Sequence, residues 1–530
     1  MLLSLLLVLA TQAQDTAHIV VVSTTDVHGH ATGWDYLADR PFPGGLVRAA
    51  RVVDSLRARY PGQVVLVDAG DLIQGDPLAT WIARVAPRDP HPGLDVMGAM
   101  GYDAATPGNH EFNFGVPFMM RALRSASFPY VSGNIFTLPQ DTLAFPAWTV
   151  VQRGGIRVGI TGFTTPGVMR WDRELVRGRA RVGRIQESAG RVLRQVKPNA
   201  DFTIVLLHSG MDGLSSYDTT GVGPEDVGAA FARGETRPDL VVVGHSHRQM
   251  ADSVIAGVHF VQPAPHARSL SIVHVDLVRR QQRWTVSRIA GELMPLAAVA
   301  PSAAIERRLA PDHQAVQAWL ALPVGNVSAD MPAIAARAEA TPLTTYINEV
   351  QRRVAGTDLS ATPVFTSQSG LRSGVATIAQ FVELYPYENT LRGIRITGDQ
   401  LKRFLEHSAR YYQADARGTV RLNDSIPGYN FDIVSGAEYA IDLRLPPGSR
   451  IRGLSVRGRP VEPEDQFTLA VNSYRQGGGG GYSMLEGAPV VYDRGENVRD
   501  LLIQDLRSRG VLNVQDFGAR NWRIVPDEMA

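Results

Sequence analysis

The sequence predicts an α/β protein of two domains, and three observations carry that reading. Runs rich in Val, Ile and Leu recur at residues 19–22, 64–67, 203–207 and 240–243, each nearly continuous and bounded by polar residues. Runs of this kind mark strands buried on both faces, as in sheets covered by helices. Between them lie amphipathic stretches, of which residues 44–60 (GGLVRAARVVDSLRARY) repeat apolar side chains at helical spacing. A chain of 530 residues also exceeds what one hydrophobic core organises.

Residues 1–13 (MLLSLLLVLATQA) are a Leu-rich run ending in small residues, the pattern of a secretory leader, although without a basic n-region. The run is shorter than the ~20 residues a spanning helix needs. Export is therefore expected, with the mature chain periplasmic or extracellular and free of the membrane. Residues 16–295 make the first domain. Residues 296–336 read as a linker: 296–322 are Ala-rich with helical spacing, and 323–331 look irregular. Residues 337–530 make a second α/β domain, with a helix expected over 344–355, strands after it, and five consecutive glycines at 477–481, too many for a helix or strand interior.

The charge balance of 53 basic against 52 acidic residues, with 44% apolar and 20% charged, fits a soluble globular protein and excludes a disordered one. Lysine occurs only at Lys197 and Lys402, and no basic run with interleaved aromatics is present to track a nucleic-acid polymer. With no cysteine in the chain, disulfides, thiolate metal sites and cysteine nucleophiles are excluded. Any metal must sit on nitrogen and oxygen.

Residues able to carry chemistry follow each predicted strand. Asp26 and His28 follow 19–22, Asp71 follows 64–67, His208 follows 203–207, and His245 and His247 follow 240–243. Asn109, His110 and Glu111 sit in a further loop, GNHE. Open α/β sheets bind ligands at the carboxyl edge of their strands. Any one of these motifs alone reads more often as a hydrogen-bonded structural feature, and it is their convergence that points to a site. Two carboxylates, four imidazoles and one amide suffice to hold two divalent ions with Asp71 shared. Two such ions clamp the attacking and leaving oxygens of an in-line displacement at phosphorus and acidify a water between them.

The order Asp26-x-His28, Gly70-Asp71-x-x-Gln74-Gly75, Gly108-Asn109-His110-Glu111, His208 and Gly244-His245-Ser246-His247 resembles the calcineurin-like metallophosphoesterases. Within them it is similar to the secreted nucleotidases that add a substrate-binding domain. The resemblance implies a metallophosphoesterase α/β sandwich followed by a C-terminal α/β nucleotide-binding domain that rotates to carry substrate to the metals. It implies that Asp26, His28, Asp71 and His247 ligate one ion, and Asp71, Asn109, His208 and His245 the other. The donors suit Mn, Zn, Fe or Co. His110 would be the catalytic histidine. Gln74 and Glu111 read as loop and supporting residues, and the remaining histidines as structural.

One departure discriminates between branches. The 5′-nucleotidases usually carry Asp three residues beyond the catalytic histidine, where this chain has Asn113. Asn there is similar to the bifunctional 2′,3′-cyclic-nucleotide 2′-phosphodiesterase/3′-nucleotidases. The segments at 385–391, 427–432 and 472–482 also resemble that branch. Tyr474 and Tyr429 are expected to sandwich a base, with Phe431 the rival for the second place. Arg372 matches an anion-contacting arginine. Gly480 stands where 5′-nucleotidases tend to have a ribose-contacting Asp. The resemblance therefore implies a monomeric enzyme acting on small nucleotides, opening 2′,3′-cyclic nucleotides to 3′-nucleotides and then releasing phosphate. A 5′-nucleotidase or nucleotide-sugar hydrolase, and an inactive exported nucleotide-binding protein, are the alternatives.

Overall fold

The computed structural model describes residues 15–211, 222–414, 419–518 and 520–525. The expected leader at 1–13 lies outside them. The first domain uses strands β1 (Thr16–Thr24), β2 (Val64–Asp68), β3 (Ala104–Ala105), β4 (Trp148–Arg153), β5 (Ile156–Thr164), β6 (Phe202–His208), β7 (Leu240–Val243), β8 (Met250–Ile255), β9 (Val258–Gln262), β10 (Ser269–Arg280) and β11 (Arg283–Pro295). They form two sheets, ordered β11-β10-β1-β2-β3 and β8-β9-β7-β6-β5-β4. Strands β1, β2 and β3 run parallel, as do β5, β6, β7 and β9.

The continuous apolar runs have a direct cause. Ile19, Val21, Val65, Val67, Ile204, Leu206, Leu240 and Val242 meet in the core between the sheets. Their neighbours Val20, Val22, Val64 and Leu66 face outward onto α1 (Leu46–Arg59), α2 (Pro77–Arg84) and α3 (Pro92–Met100). Two four-residue turns, α4 (Val168–Trp171) and α5 (Arg173–Val176), follow β5, and α6 (Ile185–Val196) then covers Val205, Leu207, Val241 and Val243 on the second sheet. Each strand thus buries both faces, which demands apolar residues at every position rather than every second one.

Helix α7 (Ala303–Leu320) occupies the Ala-rich stretch and lies against α1, α2 and α3, burying Ile305, Leu309, Val316 and Leu320. Arg308 pairs with Asp95 at 2.6 Å, and Arg88 with Asp312 at 2.5 Å, so the helix is fastened to the first domain. The residues after it differ from expectation. Instead of an irregular link, Pro323–Val327 is a strand between Gly374–Thr377 and Val511–Leu512. Val324 and Val327 supply buried contacts that short-range pattern did not reveal.

The second domain opens with α8 (Pro342–Ala355), started by a capping box of Thr341 and Thr344. Its sheet contains β12 (Leu359–Pro363), β13 (Thr390–Thr397), β14 (Asp432–Ser435), β15 (Gln466–Asn472) and β16 (Val490–Asn497), ordered β14-β12-β15-β13-β16. Helix α9 (Gly398–Ser408) begins at a second capping box, Thr397 with Gln400. Among the described residues no helix is long and apolar enough to cross a membrane.

Candidate active site

The loops leaving β1 and β2 of one sheet and β6 and β7 of the other gather at one edge of the sandwich. Five of their side chains sit on left-handed backbone: Asp26 (φ 51°), His28 (φ 49°), Asp71 (φ 62°), His245 (φ 69°) and His247 (φ 55°). Non-glycine residues seldom adopt this conformation, which costs of order 1–3 kcal/mol where it strains the chain and concentrates at functional sites. Glu111, fully buried, accepts hydrogen bonds from the backbone NH groups of Asp71 (2.9 Å), Leu72 (2.6 Å), Ile73 (3.2 Å) and Gly108, and so holds two of the loops together. Gly108 leaves room that a Cβ would take from Asp71 Oδ1.

The predicted metal ligands come together. His28 Nε2 lies 3.0 Å from His247 Nε2 and 3.8 Å from Asp71 Oδ2. His208 Nε2 lies 3.0 Å from Asp71 Oδ2 and 3.1 Å from Asn109 Oδ1. His245 Nδ1 is 2.9 Å from Asn109 Oδ1, and His247 Nε2 is 3.4 Å from Asp26 Oδ1. One donor atom each from Asp26, His28 and His247 falls within 4.8 Å of the others, as do donors of Asp26, Asp71 and His208.

Acceptors behind the rings set their tautomers. His28 Nδ1 donates to Gln74 O at 3.0 Å, His208 Nδ1 to Ala69 O at 2.7 Å, and His245 Nε2 to Glu225 Oε1 at 2.7 Å. In the neutral rings the opposite nitrogens then carry lone pairs directed at one another and at carboxylates. Burial pushes His28 down to about 3, so it stays neutral. Burial also pulls His208 down, yet Asp71 beside it lifts it to about 10. Burial works against the Asp71 charge, and His208 and His110 more than offset it, holding the carboxyl well below the usual range. With the His208 proton displaced by an entering ion, inward nitrogen lone pairs around a buried carboxylate fit divalent cations.

His110 stands beside this cluster, its ring 5.0 Å from that of His28. Its Nδ1 lies 2.6 Å from Asn113 Oδ1, and Asn113 Nδ2 donates to Asp172 Oδ1 at 3.0 Å. The edge opens into a cavity of about 1700 Å³ whose far wall belongs to the second domain. Asp71, Asn109, His110, His245 and His247 line one side, and Tyr387, Tyr429, Tyr474 and Arg475 the other.

These donors occupy the region matched by the calcineurin-like phosphoesterase family, residues 19–249, and the far wall lies in the region matched by the C-terminal domain of 5′-nucleotidases, residues 323–487. The chain carries a calcineurin-like phosphoesterase domain followed by a 5′-nucleotidase C-terminal domain. Divalent metal ions belong to that family's chemistry. The 2′,3′-cyclic-nucleotide 2′-phosphodiesterase/3′-nucleotidase of Haemophilus influenzae is 27% identical, over 96% of this chain and 87% of the relative. The trifunctional nucleotide phosphoesterase protein YfkN of Bacillus subtilis is 28% identical over 97% of this chain, which spans only 39% of that longer protein. A Staphylococcus aureus protein crystallised with alpha-ketoglutarate superposes with a TM-score of 0.84 at 26% identity, covering 96% of this chain and all of that one.

Within this phosphoesterase two sequence expectations are corrected. Phe431 is 1% exposed and packs among the rings of Tyr411, Tyr412 and Trp522, so it has no face for a base. Arg372 is exposed, its backbone NH bonded to Gln380 Oε1 at 3.0 Å, and it does not line the cavity. Tyr429 and Tyr474 do line it, joined by Tyr387, whose ring is 6.4 Å from that of Tyr429.

Other contributors carried little sequence signal. Glu225 orients His245, the Trp171 ring stacks on His245 at 5.6 Å, and the Asp26 backbone carbonyl accepts from the NH of His266, whose ring lies 5.7 Å from that of His28. Buried Arg475 fastens the wall: it pairs with Asp432 and donates to Asn430 Oδ1 and Gly479 O, each at 3.1 Å, and to Tyr429 O at 2.5 Å. Gly480 is left-handed (φ 73°), and a Cβ there would meet Asn430 and Arg475. Glycine at 480 is required by the packing of the wall itself, a reason the sequence did not reveal.

Proposed function

We propose that this chain is a metal-dependent hydrolase that opens 2′,3′-cyclic nucleotides to 3′-nucleotides and dephosphorylates these to nucleosides. The observation that carries the reading is a single cavity joining the donor-lined sheet edge to a tyrosine-lined wall, with an amide rather than a carboxylate on His110. Relatives of that name at 26–28% identity support the choice of substrate.

Asp26, His28, Asp71 and His247 would hold one ion and Asp71, Asn109, His208 and His245 a second; when bound, the pair supplies an acidified water and positive charge for the phosphoryl oxygens. Tyr429 and Tyr474 stack on the base with little preference among bases, because every base presents a π face. With His110 Nδ1 engaged by Asn113, Nε2 is the ring atom left to exchange a proton with the reacting oxygens. In the first reaction water adds to phosphorus, the P–O2′ bond breaks and O2′ takes the proton. In the second, water again adds to phosphorus, P–O3′ breaks, O3′ takes the proton and phosphate leaves. The expected leader places this work outside the cytoplasm, with a monomer as the acting unit.

The test is phosphate and nucleoside release from 2′,3′-cAMP, 3′-AMP and 5′-AMP in parallel, with Mn²⁺ or Zn²⁺. Turnover of the first two with little of the third is expected. Preference for 5′-AMP would keep the metal site and reassign the enzyme to the 5′-nucleotidases.

A further inference from the structure

Asp172 sits where α4 ends and α5 begins, on a segment that reaches in two directions. Trp171 before it stacks on His245, and Arg170 pairs with Glu486 of the second domain. Asp172 itself accepts the Nδ2 hydrogen bond of Asn113, whose Oδ1 faces His110 Nδ1.

An amide has one accepting end and one donating end, whereas a carboxylate only accepts. The donating end of Asn113 faces Asp172 at 3.0 Å; burial raises the Asp172 carboxyl to about 7, and in its ionised form it only accepts and so fixes the amide this way round. The reversed amide would set Oδ1 against Asp172 Oδ1, oxygen to oxygen, and would turn its NH2 toward His110. With the amide fixed, its oxygen faces His110 Nδ1, so that nitrogen carries the hydrogen and Nε2 remains for the reacting group. The charge absent from position 113 is thus supplied one link further along.

We propose that Asp172 is a positioning residue of the reaction, acting through Asn113 to hold His110 in its Nδ1–H tautomer. This rests on the reading of His110 as the catalytic histidine and is independent of which nucleotide is the substrate.

Charge exchange tests it. Asn113→Asp alone sets two carboxylates about 3 Å apart, and kcat is expected to fall about tenfold or more. Asp172→Ala leaves the amide unfastened and is expected to lower kcat severalfold, with KM little changed. The double variant Asn113→Asp with Asp172→Asn restores one donor and one acceptor between the positions, with the carboxylate now on His110. Its kcat is expected to return to within about threefold of the parent, a non-additivity that marks direct coupling.

All proteins are assayed with Mn²⁺ on bis(4-nitrophenyl) phosphate as well as the nucleotides. A wrong nucleotide assignment then shows as altered selectivity of the parent, while the variant comparison stands. Metal content and melting temperature identify misfolded variants. A double variant no faster than Asn113→Asp alone, or parental kcat in folded Asp172→Ala, overturns the proposal.

Discussion

The two walls of the cavity are built differently. On the first-domain side, donors project from turns directly after buried strands, and their direction follows from the sheet edge. Asp71 has to leave β2 beside Asp26 leaving β1, because β1 and β2 are parallel neighbours in register from Val20–Val64 to Thr24–Asp68. On the second-domain side, Tyr429 and Tyr474 lie on short turns whose orientation depends on a buried arginine reaching several backbone carbonyls and side chains. A site at strand ends inherits its geometry from secondary structure. A site on loops receives it from long-range packing, and neighbours such as Tyr429 and Phe431 can face opposite ways.

The sharpest challenge to this contrast is at the strand edge. Asp71→Ala removes the carboxylate proposed to serve both ions. It is expected to cut kcat by at least about a thousandfold in phosphate release with added Mn²⁺. Retained activity would break the metal assignment. Chelation with EDTA should match the loss in the parent and be reversed by metal.

Next comes the pair on the opposite wall. Phe431→Ala empties a packed core site and should destabilise by about 3–5 kcal/mol in urea unfolding, with KM unchanged in the protein that remains folded. Tyr474→Ala should instead raise KM for 3′-AMP, by the equivalent of about 1–3 kcal/mol for a lost base stack. If the two effects were exchanged, the assignment of inward and outward faces would be wrong.

Gly480→Asp tests why the glycine is there. Left-handed backbone and collision with Asn430 and Arg475 predict a loss of about 1–3 kcal/mol in stability. A stable variant that gained 5′-AMP hydrolysis would instead mean that substrate charge selects the residue. The smallest effect is expected at Arg372. Exposed and away from the cavity, Arg372→Ala should change stability by less than about 0.5 kcal/mol and leave KM within about twofold.

Much was readable without coordinates because it follows from local rules. Both-face burial writes continuous apolar runs at 19–22, 64–67, 203–207 and 240–243, and all four are strands. Helical spacing at 44–60 and 344–355 marks α1 and α8. Since strand ends share an edge, Asp26, His28, Asp71, His208, His245 and His247 could be grouped from position alone.

Tertiary structure decided the remainder. Pro323–Val327 becomes a strand because distant Gly374–Thr377 and Val511–Leu512 offer backbone partners. Phe431 turns inward onto Trp522, 91 positions along the chain, and Arg372 turns away from the cavity. Asp172 and Glu225 enter the site through hydrogen bonds to Asn113 and His245, residues 59 and 20 positions away. The alternation of side chains along a strand is a property of the backbone and can be read from composition. The direction of a loop side chain is settled only when remote parts of the chain compete for its faces.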